Sequence, residues 1–289
     1  MADFGFSTTA EEVTEGLDLS GQTWLITGVN SGLGHETARV LGARGARIIG
    51  AARTIEKADQ ALKDLGLDGR PVACELSDIP HVRACVETLK GETLTGIIAN
   101  AGIMALPTLT QKDGVELQFL TNHVGHFVLV TGLIDQVQTG GRVVILSSGA
   151  HFRAAEGLEL DNLDGSSDYE PWRAYGRSKL ANIVFANELA SRLAGTDRVA
   201  NSVHPGVIAT NLARHIEDAE TLFESLKNRL KTLGQGAATQ CYAAVHPDVA
   251  TVSGTYFADC KVAETLPAAT DPQAGPALWQ ATEDLLERL

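Results

Sequence analysis

Residues 23–34 read T-W-L-I-T-G-V-N-S-G-L-G, and the fold is decided there. An apolar, β-prone run from Thr23 to Thr27 passes without a spacer into Gly28, Gly32 and Gly34, and an Ala-rich helical pattern follows. Glycines so placed allow a tight turn, close approach of backbone to a pyrophosphate and close packing of helix on strand. The helix N-terminus then faces the phosphates. A strand, glycine loop and helix in this order predict dinucleotide binding. The spacing is G-x-x-x-G-x-G, with three residues rather than one between the first two glycines.

Outward from this loop the same alternation continues. Short β-rich apolar runs at 23–27, 46–50, 71–75, 96–100, 142–147, 199–204 and 254–258 alternate with helical patterns at 32–44, 55–65, 78–90, 112–137, 173–194, 212–232 and 234–246. The runs are apolar on both faces, as expected of strands covered by helices on both sides. The expected architecture is α/β: a Rossmann-type, doubly wound parallel sheet, with ligands at the carboxyl ends of the strands. No linker, repeat or low-complexity stretch divides the chain, so a single domain at 20–289 is expected behind an N-terminal arm at 1–19.

Composition narrows the function. The 289 residues carry 23 Lys and Arg against 36 Asp and Glu, a net charge of −13, which disfavours nucleic acid and anionic lipid surfaces. No uninterrupted apolar run reaches the roughly 18 residues needed to span a bilayer, and residues 1–20 lack a signal peptide's basic start and apolar centre. Cys74, Cys85, Cys241 and Cys260 show neither C-x-x-C pairing nor a metal-ligand spacing, and read as reduced thiols. The resulting expectation is a cytoplasmic protein with no membrane anchor and no metal.

The end of the second strand reads Gly50-Ala51-Ala52-Arg53, with no carboxylate before Glu56. A carboxylate there would bind a free ribose 2′-hydroxyl, whereas a guanidinium grips a 2′-phosphate. NADP(H) is therefore expected over NAD(H), with Asn30 and Thr54 as possible extra contacts to that phosphate.

Downstream, Tyr175-Gly176-Arg177-Ser178-Lys179 opens a long helical pattern, and positions i and i+4 share a face. An ammonium about 4 Å from a phenol favours phenolate by on the order of 4 kcal/mol at an effective dielectric near 20, which would lower the Tyr175 pKa toward the catalytic range. Ser147-Ser148 closes the strand at 142–147 and offers a hydroxyl to polarise a carbonyl oxygen. Asn100-Ala101-Gly102 closes the fourth strand at the same edge. Asn122 lies inside a helical pattern that Asn disfavours, which predicts a local kink or a bound water.

Taken together, the glycine loop, N-A-G, a helical Asn, Ser after the fifth strand, Y-x-x-x-K and Pro205-Gly206 resemble the short-chain dehydrogenase/reductase family over about residues 20–289. N-S-G-L-G, N-H-V-G-H-F, S-S-G-A-H, Y-G-R-S-K-L-A-N and H-P-G-V-I-A-T resemble its retinol dehydrogenase-like and WW-domain oxidoreductase-like subset. The resemblance implies that Ser148 positions the substrate oxygen and Tyr175 transfers the proton. It implies that Lys179 lowers the Tyr175 pKa and holds the nicotinamide ribose, and that Asn122 anchors a water relaying protons to Lys179. It implies cofactor contacts from Gly28, Asn30, Ser31, Gly32, Leu33, Gly34, Arg53, Glu75, Leu76, Asn100, Ala101, Gly102, Tyr175, Lys179, Pro205, Gly206, Val207 and Thr210. Glu75 stands where the family usually carries Asp beside the adenine.

The function so read is an NADP(H)-dependent oxidoreductase of the carbonyl reductase or alcohol dehydrogenase type. The alternative is a non-catalytic NADP(H)-binding regulator or scaffold. His123, His126 and His151 read as packing and hydrogen-bonding residues, Met104 and Leu106 as cleft lining, and Trp279 as a core or interface anchor. The stretch between Ser148 and Tyr175 is long and carries Phe152, Leu158, Leu160, Leu163 and Trp172, so it should wall the catalytic edge. A lid is expected at 211–233, where Leu222, Leu226 and Leu230 recur at helical spacing. With Ile208, Leu212, Ile216 and Phe223 nearby, the expected partner is a bulky hydrophobic carbonyl or alcohol. The resemblance also implies a homodimer or homotetramer pairing through the helices at 112–137 and 173–194.

Overall fold

A computed structural model describes residues 3–209, 221 and 224–289. Thr210 and most of the lid expected at 211–233, with Leu212, Ile216, Leu222 and Phe223, lie outside the described residues. The first half of the sheet is β1 (Thr23–Thr27), β2 (Arg47–Ala52) and β3 (Arg70–Ala73), joined by α1 (Gly32–Ala43) and α2 (Ile55–Asp64). After α3 (Ile79–Leu89), the second half is β4 (Leu94–Ala99), β5 (Val137–Leu146) and β6 (Val199–His204), joined by α4 (Gly125–Leu133) and α5 (Pro171–Arg192). Then follow α6 (Leu233–Val245), β7 (Tyr256–Ala258), β8 (Lys261–Val262) and α7 (Ala274–Leu286).

The sheet order is β8-β7-β6-β5-β4-β1-β2-β3, parallel throughout except for the antiparallel β8. The strand order reverses between β1 and β4, which opens a crevice at their carboxyl ends. One apolar core lies under α3, α4, α5 and α7, and a second under α1, α2 and α6. Helix starts follow local chemistry. Thr54 caps α2 by accepting from Lys57 N, Asp78 caps α3 by accepting from His81 N at 3.0 Å, and Glu170 with Pro171 opens α5.

Several boundaries differ from the sequence reading. The helix expected from 112 begins at Leu117, because Gln111–Lys112 and Val115–Glu116 form a small hairpin. Its turn is Asp113-Gly114, with φ of +54° and +77°, a D-G hairpin signal that outweighs the helical pattern around it. The helix expected to reach 232 stops sooner. Leu230–Lys231 is extended and pairs in parallel with Val207–Ile208, so Leu230 does not continue a helical stripe. The N-terminal arm carries a short helix, Ala10–Val13, capped by a Thr9/Glu12 box, and Ala10 and Val13 join the core beneath α6.

Helix α7, which the reading passed over, covers the faces expected to pair between subunits. Leu278 and Leu285 are buried, Trp279 packs edge-on at 4.7 Å from Phe127 of α4, and the Arg192 guanidinium of α5 sits 3.7 Å over the Trp279 ring. Part of the surface expected to pair between subunits is thus covered by α7.

Candidate active site

Thr27, the last residue of β1, fastens the glycine loop to the end of β4. Its hydroxyl oxygen accepts the backbone N–H groups of Asn100 and Ala101, both at 2.9 Å, while Asn100 Nδ2 donates to the Thr27 carbonyl at 2.8 Å. Gly28 (φ +72°) leaves no room for a side chain: a Cβ there would stand 3.1 Å from Ala101. A Cβ on Gly34 would meet the Gly28 carbonyl oxygen at 2.4 Å. These glycines let α1 begin against the crevice, and Ser31 makes no side-chain cap bond to its first turn. The turn carries no acidic residue, so its amides suit an anion.

A cavity of about 450 Å³ opens over this loop. It is lined by Gly28, Asn30, Ser31, Gly32 and Leu33, by Arg53 at the end of β2, by Glu75, and by Asn100, Ala101 and Gly102. Thr54, by contrast, serves as a helix cap. Glu75 accepts from the Ser77 hydroxyl at 2.9 Å and from the Ser77 N–H at 3.2 Å. Leu76 lies in the core against Gly125. Pro205, Gly206 (φ +92°) and Val207 follow β6, and the Lys231 side chain packs across Gly206. Lys231 itself is ion-paired with Asp259.

Two buried polar atoms at this cavity have no partner among the described residues, Asn100 Oδ1 and Thr121 Oγ1. Thr121 was not singled out in the sequence, and Cys74 just after β3, read there only as a reduced thiol, also lines the cavity. The rule that ligands meet the carboxyl ends of strands points to Cys74. Thr121 had no signal, because its exposure depends on how its helix winds.

That helix is irregular at the expected place. Leu120–Val124 forms a π-turn between Leu117–Phe119 and α4. Such turns let a side chain depart from helical register and recur at functional sites. Asn122 is fully buried there. Its Nδ2 donates to the Ile103 carbonyl and the Ser178 hydroxyl, both at 2.9 Å, and its Oδ1 accepts the Ile103 N–H at 2.9 Å. A Cβ on Gly102 would lie 2.9 Å from Asn122 Oδ1 and 3.6 Å from Lys179 Nζ, so glycine keeps the space between these two groups open.

The two adjacent serines have separated uses. The Ser147 hydroxyl donates to the Lys179 carbonyl at 2.7 Å, whereas the Ser148 hydroxyl lies beside the Tyr175 phenol and accepts the Ala150 N–H at 3.1 Å. Two neutral histidines steady this turn. His151 Nδ1 donates to the Ser148 carbonyl at 2.7 Å, and the Gly149 N–H donates to His204 Nδ1 at 3.0 Å. A third, His126, donates from Nδ1 to the Asn122 carbonyl at 3.0 Å, which leaves Nε2 to accept from the Thr27 hydroxyl at 2.9 Å. Burial holds His126 and His204 neutral, each near 4.

Tyr175 and Lys179 share one face of α5, but not in the electrostatic relation expected. The ammonium lies 5.7 Å from the Tyr175 ring centroid and donates to the Leu146 carbonyl at 3.1 Å. Burial pushes the Tyr175 phenol up to about 12 against the opposing pull of the neighbouring Ser148 hydroxyl, and pushes Lys179 down to about 7. Desolvation of both groups thus outweighs their mutual attraction, because neither retains water to support its charge. The four expected residues do converge: the Tyr175 hydroxyl meets Ser148, and Asn122 and Lys179 flank Gly102.

The family model for short chain dehydrogenases matches residues 22–160. The short-chain dehydrogenase TIC 32 A, chloroplastic, of Brassica napus is 40% identical, covering 99% of this chain and 95% of its own. Retinol dehydrogenase 14 of Mus musculus is 40% identical over 92% of this chain and 86% of its own. The WW domain-containing oxidoreductase of Pongo abelii is 34% identical over 97% and 72%. A crystal structure of a Mycobacterium paratuberculosis protein superposes with a TM-score of 0.79 at 32% identity, covering 98% of both chains. A blue fluorescent protein from a metagenomic library, in complex with NADPH, gives 0.69 at 25% identity over 83% of this chain and 97% of its own. The chloroplastic relatives, at 40% and 39% identity, overturn the cytoplasmic expectation. Leu117–Gln136 is also long and apolar enough to cross a membrane by length and composition, although 72% of its most apolar window is buried inside this fold.

Proposed function

The chain belongs to the short-chain dehydrogenase family, within its retinol dehydrogenase-like subset, and on that premise we propose that it is an NADP(H)-dependent oxidoreductase acting on a hydrophobic alcohol and its ketone or aldehyde. The observation that carries this reading is the buried Tyr175 phenol beside Ser148, with Lys179 on the same helix face, next to a cavity floored by the glycine loop. The cavity suits a dinucleotide: it has Gly28 and Gly102, where a Cβ would crowd Ala101 at 3.1 Å and Asn122 Oδ1 at 2.9 Å, an uncapped helix start, and two polar atoms without a partner among the described residues, Asn100 Oδ1 and Thr121 Oγ1. When bound, the nicotinamide cofactor supplies or accepts the hydride at the carbonyl carbon.

The rest belongs to the chain's own residues. Gly28, Asn30, Ser31, Gly32, Leu33 and Gly34 would cradle the pyrophosphate, and Arg53 would grip the 2′-phosphate. Glu75 and Leu76 would border the adenine. Asn100, Ala101, Gly102, Lys179, Pro205, Gly206 and Val207 would enclose the ribose and nicotinamide. Ser148 orients the substrate oxygen, and Tyr175 donates its proton to that oxygen in reduction. A phenol pushed up to about 12 carries this proton throughout the neutral range, so it is available to the substrate oxygen as a donor. Asn122 fixes the Ile103 backbone and faces the space beside Lys179, where a proton relay would pass. Ile103, Leu106, Leu117 and Leu146 give the cavity its apolar side, which supports a hydrophobic substrate.

The test is NADPH oxidation with a homologous series of ketones and aldehydes. Each buried methylene is worth about 0.8 kcal/mol, so kcat/KM should climb roughly fourfold per carbon until the pocket fills. A flat series, or best activity on a small charged carbonyl, overturns the substrate class. Arg53→Asp should erode the preference for NADPH over NADH in a calorimetric titration; equal binding of both by the unaltered protein overturns the role of Arg53.

A further inference from the structure

Ala105 has φ of +49°, a left-handed conformation that a residue with a Cβ adopts only when its surroundings impose it. It sits between the N-A-G segment and Leu106, a cavity-lining residue only 8% exposed. What imposes the conformation is a short chain of hydrogen bonds. The Ala105 N–H donates to Oε1 of the fully buried Gln118 at 2.7 Å. Gln118 Nε2 donates to the Tyr169 hydroxyl at 3.1 Å, with a longer contact to the Pro171 carbonyl at 3.4 Å. The Tyr169 hydroxyl donates to the Leu106 carbonyl at 2.8 Å, closing the circuit. Tyr169 belongs to the long segment between Ser148 and Tyr175. That segment is anchored independently on α5, where Arg177 bonds the Asn162 carbonyl at 2.8 Å and pairs with Glu159 at 3.2 Å.

We propose that Tyr169 is a positioning residue for substrate specificity: through its hydroxyl, the long segment before α5 locks Ala105 and thereby fixes Leu106 as the apolar boundary of the cavity. The proposal deepens the hydrophobic-substrate reading and rests on it. Burial holds the Tyr169 phenol up to about 12, so the hydroxyl remains a donor across the neutral range. Without that hydroxyl, the Leu106 carbonyl loses its partner and Gln118 Nε2 keeps only its longer contact to Pro171, so the bond from the Ala105 N–H to Gln118 must hold the strained residue with a less firmly held acceptor. Leu106 then leaves its place, while Tyr175, Ser148 and the cofactor loop are untouched.

The experiment compares Tyr169→Phe, Ala105→Gly and the double variant. In Tyr169→Phe, KM for a bulky apolar ketone should rise about tenfold, the scale of one lost buried hydrogen bond. KM for a small ketone, kcat and the Kd for NADPH should hold within about twofold. Glycine adopts a positive φ freely, so adding Ala105→Gly should recover most of the lost KM. A merely structural role predicts a further loss instead. Hydrogen exchange at the Ala105 amide, read with no substrate present, should quicken in Tyr169→Phe. Unchanged exchange, an unchanged KM, or an equal rise for small and bulky ketones overturns the proposal. If no carbonyl is reduced by the unaltered protein, the oxidoreductase reading fails. The exchange measurement still decides the clamp, since protection lost supports it and protection kept refutes it.

Discussion

Lys179 is almost wholly buried, its ammonium bonded to the Leu146 carbonyl, and burial pulls its pKa to about 7 from 10.5. A lysine whose folded pKa lies below its unfolded value binds fewer protons when folded. Stability therefore rises with pH across the window from 7 toward 10.5, and the cost of burial is felt at neutral pH and below. Methionine fills similar space without a charge to desolvate. We expect Lys179→Met to gain about 1–3 kcal/mol at pH 7, a fraction of the full linkage value because the interior relaxes. The same change should cut turnover at least ~10²-fold, consistent with a group held in place for function. Urea unfolding at about pH 7 and pH 8.5 checks it: the gap between the two proteins should narrow as pH rises. A constant gap means that the ammonium is not the cause.

Element by element, local pattern told most where backbone chemistry is local. The loop at 28–34, the Arg53 end of β2 and the i, i+4 pair Tyr175/Lys179 were all legible, because each is set by a few neighbouring residues. The Asn122 irregularity was legible too, as a poor helix former inside a helix. The Tyr175 pKa was not, since helical spacing gives proximity but not desolvation, and the sum of the two decides its direction. The D-G turn at 113–114 was legible but overridden by the apolar run that follows it. Helix α7 was missed because its partners, Phe127 and Phe185, lie about a hundred residues away or more. Trp279 packs on both rings, bonds Glu283 Oε1 from its own Nε1 at 2.8 Å, and lies under Arg192. Trp279→Ala should cost about 2–3 kcal/mol, less than for a fully buried Trp, because this one is only partly buried. It should also uncover Phe127 and Phe185. We therefore expect a lower unfolding midpoint and concentration-dependent association in light scattering. A variant that stays the same size would mean α7 shields no associating surface.

At the scale of the whole molecule two effects of acid compete. The chain carries −13 at neutral pH and has a sequence pI near 5.0, so acidification toward pH 5 relieves self-repulsion and should favour the fold. Glu116 pulls the same way, because burial raises its pKa and its folded form takes up a proton more readily. Against this stand the buried neutral histidines. Desolvation lowers His123 to about 3 and His126 and His204 to about 4, and it also lowers His151 and His246. Each binds a proton when the chain unfolds below about pH 6.5 and not while it is folded, so stability is lost as pH falls through that window. His126 accepts from Thr27 and His204 accepts from Gly149, so neither can titrate in place without losing that bond, and His123, fully buried, donates from Nε2 to Thr282 of α7 and would have to bury a charge. Three such sites lose on the order of 4 kcal/mol between about pH 7.5 and 5.5, against a typical total of roughly 5–15 kcal/mol. General self-repulsion is spread over the surface and screened by salt, whereas these costs are local and unscreened. The histidines should win. Urea unfolding at stepped pH should show stability falling steadily below pH 6.5, with a slope equal to about three protons taken up. A stability maximum near pH 5 would show instead that the histidines around Asn122 and Ser148 are not held neutral by burial.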